Sequence, residues 1–260
     1  MDYSTILVEK KDFVTTLYLN RPDVLNALSN EMRTDLIHFF RTSADDPETR
    51  VLIVTGKGRA FSAGADLNVF KERFEAYRRE GQQDGSFRKL LPKALLAFPK
   101  PVIAAINGPA VGVGATMPLN FDIRLASTQA KFMFPFPRLG VTPEFCSSYF
   151  LPRIVGFGRA AELIYTARMI DAEEALKIGL VDRVLPAEEL MPEAEKMARQ
   201  IAAMPPYAIE TAKRLLVSGR QSTPEQMIEY ETIVLQQAMQ TEEHYEAVCR
   251  MLEEMNQKKK

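Results

Sequence analysis

The chain has 260 residues, 46% of them hydrophobic and 26% charged, with 33 Lys+Arg against 34 Asp+Glu. That is enough apolar material for a substantial core. A net charge of −1 gives no electrostatic case for nucleic acid or an acidic membrane as partner. Two cysteines, Cys146 and Cys249, are too few for a disulfide framework and suit a reducing compartment. "MDYSTILVEKKD" carries no signal pattern and no apolar run approaches a membrane span, so a cytoplasmic protein is expected. The tail Lys258–Lys260 reads as solvated.

In chain order, "TILVEKKDFVTTLYLN" predicts a hairpin around Lys10–Asp12. Met32, Leu36, Phe39 and Phe40 recur at helical spacing behind Ser29, a plausible N-cap. "RVLIVTG" reads as a buried strand, "KPVIAAING" as another, "GVGATMPLNF" as a helix and "DIRLAS" as a strand. Strands alternating with helices predict an α/β fold with parallel strands. The polar segment Asn68–Lys93 suits an exposed helix and loop, with a lid as one use. "GRAAELIYTARM" predicts one helix. In "DAEEALKIG", Asp171 and Glu174 have capping-box spacing and Gly179 is a stop. Thr223, Pro224 and Gln226 mark a further helix start, and "TEEHYEAVCRMLEEMNQ" follows. These last helices carry apolar stripes that call for a surface to pack on. The predicted division is a core over residues 1–200 and a helical region over 201–260.

Only two histidines occur, His38 and His244, which disfavours zinc and Ser-His-Asp chemistry and points to carboxylates for proton transfer. Two small-residue turns follow buried strands. "RAFSAGADL" lets a ligand approach backbone N–H groups, or simply packs tightly. "INGPAVGVGAT" fits no nucleotide motif, yet a glycine turn opening a helix presents free donors of the oxyanion-hole kind. Glu144, between Pro143 and Phe145, is a lone acid in an apolar run. On local sequence it reads as a helix N-terminal acid or as a base tuned by its surroundings.

Together, "LNRPDVLNAL", "RAFSAGADL", "KPVIAAINGPAVGVG", "DIRLAS" and "AAELIYTARMIDAEEALKIGLVDRV" resemble the crotonase (enoyl-CoA hydratase/isomerase) superfamily over about residues 4–250. The resemblance implies a crotonase-like α/β fold of repeated ββα units with a C-terminal trimerisation region, as a homotrimer or hexamer. It implies an acyl-CoA thioester as substrate, with coenzyme A entering only as part of it and no separate cofactor or metal. The oxyanion-hole donors would be the N–H groups of Ala65 and Val113, the latter where family members usually have Gly. Val24, Leu25, Ala27, Ala63, Asp66 and Leu67 would line the adenine and ribose side. Gly64, Gly114, Thr116, Phe136 and Leu139 would complete the substrate site.

The hydratase pattern of two glutamates is broken, because Thr116 and Phe136 stand at those positions. "PFPRLGVTPEFCSSYFLPRIVG" instead resembles the Δ3-Δ2-enoyl-CoA isomerase branch, which implies Glu144 as the single acid/base, walled by Phe134, Phe136, Phe145 and Val113. The alternatives are a hydratase or other crotonase-type lyase using Glu144 alone, a dehalogenase-like enzyme with Glu144 as nucleophile, and a non-catalytic CoA-binding scaffold.

Overall fold

The computed structural model describes residues 3–81 and 86–257, so the basic tail and residues 82–85 of the polar segment lie outside the described residues. The hairpin forms from β1 (Ile6–Lys11) and β2 (Val14–Leu19), antiparallel, with Lys11 opposite Val14. Its reversal falls on Asp12 and Phe13, slightly later than the Lys10–Asp12 run suggests. Both have positive φ, 52° and 63°, the twist that suits a two-residue hairpin turn. Arg50 covers the exposed Phe13 ring, its guanidinium carbon 4.1 Å from the ring centroid.

Helix α1 (Asn30–Ala44) starts where Ser29 predicts, with Ser29 Oγ accepting from the Met32 N–H at 3.2 Å. There follow β3 (Val51–Gly56), α2 (Leu67–Glu80), α3 (Ser86–Ala97), β4 (Val102–Ile106), β5 (Ala110–Val111) and α4 (Val113–Thr116). The helix predicted over "GVGATMPLNF" is α-helical only for those four residues, and Met117–Asn120, with Pro118 in it, continues as a 3-10 turn. Then come β6 (Ile123–Ser127), β7 (Lys131–Met133), α5 (Ser147–Val155) and α6 (Phe157–Thr166). Helix α6 stops short of the predicted "TARM" end. Ala167 turns left-handed (φ 48°), and Met169 opens β8 (Met169–Asp171), which pairs with β7. The chain finishes with α7 (Ala172–Lys177), β9 (Arg183–Leu185), α8 (Ala187–Ala202), α9 (Pro206–Gly219), α10 (Pro224–Ala238) and α11 (Glu242–Gln257).

The six-stranded sheet runs β1-β2-β3-β4-β6-β9, and every pairing after the hairpin is parallel. A three-stranded sheet, β5-β7-β8, sits beside it. Strand periodicity sorts the core. Val51, Ile53, Ile103, Ala105 and Leu125 meet Leu190, Ala194 and Ala198 of α8 on one face. Leu52, Val54, Ala104 and Ile106 join the cluster holding Leu36 and Phe40 of α1 on the other. Burial on both faces explains the continuous apolar runs in the sequence. Alanines at four-residue spacing on α8 let that helix approach the sheet closely.

The two later predicted caps also form, with a difference. Thr223 and Gln226 make a reciprocal capping box. Asp171 accepts from the Glu174 N–H at 2.8 Å, but the Glu174 carboxylate turns to Arg168 instead of back to the cap. Helix α9 is pinned to the core by Lys213, whose Nζ reaches Asp122 at 2.9 Å and the Lys100 carbonyl at 2.8 Å. Beyond it, α10 buries only Val234 and α11 buries no residue. Leu216, Ile228, Leu235, Met251 and Leu252 are exposed. Among the described residues, no helix is long and apolar enough to cross a membrane.

Ala198 is wholly buried in the layer between α8 and the sheet. Ala198→Leu is expected to overpack that layer and cost about 1–3 kcal/mol. This is read as a lower denaturant midpoint at unchanged slope, and an unchanged midpoint would contradict the close packing of α8.

Candidate active site

The site begins with a buried amide. Asn26 Nδ2 donates to the carbonyls of Lys57 and Ala60, both at 2.9 Å, and its Oδ1 accepts from the Arg21 N–H at 2.9 Å. Ser62 Oγ donates to the Asn26 carbonyl at 2.8 Å. Backbone bonds add to this: the Ala63 N–H donates to Leu25 at 2.8 Å and the Leu28 N–H to Gly64 at 2.7 Å. "LNRPDVLNAL" is thereby stitched to "RAFSAGADL". Leu25 and Asn26 hold left-handed φ values of 53° and 56°.

The second turn is docked on the first. The Val111 N–H donates to the Ser62 carbonyl at 2.9 Å. A Cβ on Gly64 would come 2.7 Å from the Val111 carbonyl oxygen, and one on Gly114 would overlap the Ser62 carbonyl. These glycines therefore serve close backbone approach rather than phosphate binding. Val113, as first residue of α4, has no intrahelical acceptor for its N–H. Among the described residues, the N–H groups of Ala65 and Val113 donate to no protein acceptor, and both residues line the same cavity.

That cavity is about 500 Å³ and lies between the two turns, α1, α2, α3 and the segment from Met133 to Phe145. Ala63, Gly64, Ala65, Leu67, Val113, Phe136, Leu139 and Glu144 of the expected site line it. The others do not. Val24 is exposed, and Leu25 and Ala27 lie behind the first turn. Asp66 caps α2 through the Asn68 N–H at 3.1 Å and pairs with Arg21 at 3.5 Å. Gly114 packs on Ser62, and Thr116 sits beneath the wall. Phe134, an expected wall residue, is wholly buried and outside the cavity. His38 bonds Tyr3 at 3.0 Å, and neither histidine lines the cavity. No group of three or more metal-ligating side chains occurs among the described residues.

Glu144 is not a helix-capping acid. Helix α5 starts at Ser147, and the carboxylate instead accepts from Thr116 Oγ1 at 2.6 Å. Thr116 is fully buried and off the cavity surface, so it stands as a donor beneath the acid rather than as the pocket lining expected of it. The backbone after Glu144 is strained: Phe145 and Cys146 have φ of 51° and 58°. Asn120 Nδ2 secures that bend by donating to the Phe145 carbonyl at 3.1 Å. Burial lifts the Glu144 carboxyl to about 7, against the Thr116 hydrogen bond and the Arg33 charge, which both favour the ionised form. A carboxyl poised there exchanges a proton readily near neutral pH.

Sequence reasoning missed Asn26 and the arginines of the cavity, Arg33, Arg73, Arg88 and Arg138. Arg33 sits beside the apolar stripe of α1, where a polar residue gives no signal of its own.

Two outcomes follow from this geometry. The folded-state value for Glu144 lies above its ordinary 4.5, so its protonated form contributes stability fully below about pH 4.5, lost as pH rises through about 7. Glu144→Gln should therefore gain stability over the wild type between pH 5 and 8, by up to ~3 kcal/mol. Calorimetry at both pH values checks this, and a pH-independent difference would contradict it. Gly114→Ala should force the two turns apart and cost about 1–3 kcal/mol, with the melting temperature as readout.

Comparisons with known proteins agree with one another. The enoyl-CoA hydratase/isomerase family model matches residues 9–259. The crotonyl-CoA hydratase of Syntrophomonas wolfei is 36% identical over 254 residues, covering 97% of this chain and 96% of that protein. The 1,2-epoxyphenylacetyl-CoA isomerase of Escherichia coli is 33% identical at the same coverages. The crystal structure of enoyl-CoA hydratase from Bacillus anthracis superposes with a TM-score of 0.90 at 33% identity, over 96% of this chain and 97% of that one.

Proposed function

This chain belongs to the enoyl-CoA hydratase/isomerase family and has its crotonase-like fold, and from that premise we propose that it is an enoyl-CoA isomerase. It moves a 3-double bond, cis or trans, to trans-2, with Glu144 as its single acid/base. The observation that carries this reading is that Glu144 is the one carboxylate lining the cavity among the described residues. Thr116 and Phe136 occupy the two positions at which the family resemblance places hydratase glutamates.

The proposed chemistry uses that geometry. The Glu144 carboxylate takes a proton from C2 of the 3-enoyl thioester. The electron pair of that C–H bond delocalises onto the thioester oxygen as a dienolate. The Ala65 and Val113 N–H groups, without acceptors among the described residues, stabilise that oxygen. One such donor is worth about 2.7–4 kcal/mol in an acyl-transfer enzyme. The Glu144 carboxyl then returns the proton to C4, leaving the double bond at C2–C3. Thr116 holds the acid in place and Phe136, Phe145 and Val113 limit water around it. Coenzyme A enters as part of the substrate, and the scheme requires no further cofactor.

A hydratase is the second reading, favoured by the similarity to proteins named as hydratases. Glu144 would then act alone on water. The test is to offer 3-enoyl-CoA and 2-enoyl-CoA separately and follow thioester conjugation. Isomerisation of the first with little hydration of the second is expected. Glu144→Gln should lower isomerisation roughly 10²–10⁴-fold. Hydration as the faster reaction, or full activity in Glu144→Gln, would overturn the reading.

Thr116 is a positioning residue here. Its hydrogen bond holds the Glu144 carboxyl down, so Thr116→Val should move the acidic limb of the kcat/KM profile to higher pH. A purely structural role would lower activity without moving the limb.

Residues 201–260 are proposed as the assembly region of a homotrimer or hexamer. The exposed apolar residues of α9–α11 support this. Light scattering should give three or six chains per particle, and a monomer would contradict it.

A further inference from the structure

Four arginines line the cavity: Arg33 on α1, Arg73 on α2, Arg88 on α3 and Arg138 after β7. Against them stands Glu144 alone among the described carboxylates. None of the four arginines forms an ion pair among the described residues. Arg73 donates to Asn30 Oδ1 at 2.9 Å, a neutral acceptor. Arg33 Nε is shielded from solvent and has no hydrogen-bond partner among the described residues. Its guanidinium carbon lies 5.8 Å from the Phe145 ring centroid, next to the acid.

This arrangement costs free energy. Burial, and repulsion among Arg33, Arg73 and Arg88, hold Arg33 and Arg73 below the ordinary guanidinium value. A hydrocarbon acyl chain would displace water from these groups and offer no acceptor in return, so they would be left less satisfied than before. An anion would satisfy them, and a carboxylate matches the guanidinium fork with two parallel hydrogen bonds.

We infer that the substrate's acyl chain ends in a second carboxylate, remote from the thioester, and that Arg33, with Arg73 and Arg88, receives it. The inference rests on the acyl-CoA reading of the site but not on the choice between isomerase and hydratase. The phosphates of coenzyme A share this anionic chemistry. The placement of Arg33 against Phe145, beside Glu144, favours the acyl carboxylate, because Glu144 marks the acyl end of the cavity in the proposed reading.

Binding of unreactive saturated thioesters tests this without requiring turnover. Calorimetry on the full chain compares hexanoyl-CoA, adipoyl-CoA, which adds a terminal carboxylate, and free coenzyme A. Adipoyl-CoA is expected to bind at least tenfold more tightly than hexanoyl-CoA. Arg33→Gln should abolish that preference and leave coenzyme A affinity unchanged. Arg73→Gln should reduce the preference, and it carries the test if Arg33→Gln does not fold. Equal affinity for the two thioesters overturns the inference alone. So does an Arg33→Gln variant that weakens free coenzyme A as much as adipoyl-CoA, which would assign the arginines to phosphate. Failure to bind any of the three overturns the acyl-CoA reading beneath it.

Discussion

A 2.6 Å hydrogen bond from Thr116 to a carboxylate in an apolar wall is the constraint on which the proposed chemistry rests. Burial pushes the Glu144 proton on, while Thr116 and Arg33 pull it off, and the balance falls near neutrality. Neither influence alone would serve. Without burial the acid would stay ionised and be a weak base, and without the hydroxyl it would have no fixed direction. The left-handed pair Phe145–Cys146 is part of the same constraint, since it turns the chain so that the acid faces the cavity rather than capping α5.

The fold brings the other half of the site to that acid. Parallel strands β3 and β4 lead into the two small-residue turns. Glycines at 64 and 114 let those turns touch backbone to backbone. Asn26 then ties the preceding segment to Lys57 and Ala60, at the start of the first turn, with two hydrogen bonds, and braces that segment with a third from the Arg21 N–H. The result is two N–H groups without protein acceptors among the described residues, fixed by main-chain packing rather than by mobile side chains. Such preorganisation is what stabilises developing charge without reorganisation.

Much of this was legible in the sequence, for definable reasons. The runs Val51–Gly56 and Val102–Ile106 read as buried strands because both of their faces are covered. Ser29 and Thr223 announced helix starts because capping is local chemistry. The features that were not legible depend on distant contacts. Glu174 fails to complete its box because Arg168 competes for it. Helix α6 ends early because β7 recruits Met169 into a strand. Thr116 looked like lining, since nothing in "GATMPL" reveals an acid 28 residues later in the chain. Arg33 gave no signal, because its meaning comes from α2, α3 and Phe145 converging on it.

The central claim is that one carboxyl carries one proton from C2 to C4. Isomerisation of a 3-enoyl-CoA deuterated at C2, carried out in ordinary water and sampled at the first turnover, tests it directly. A shuttling Glu144 predicts deuterium recovered at C4 of the product. A C4 hydrogen drawn entirely from solvent, with no label retained, would contradict the account.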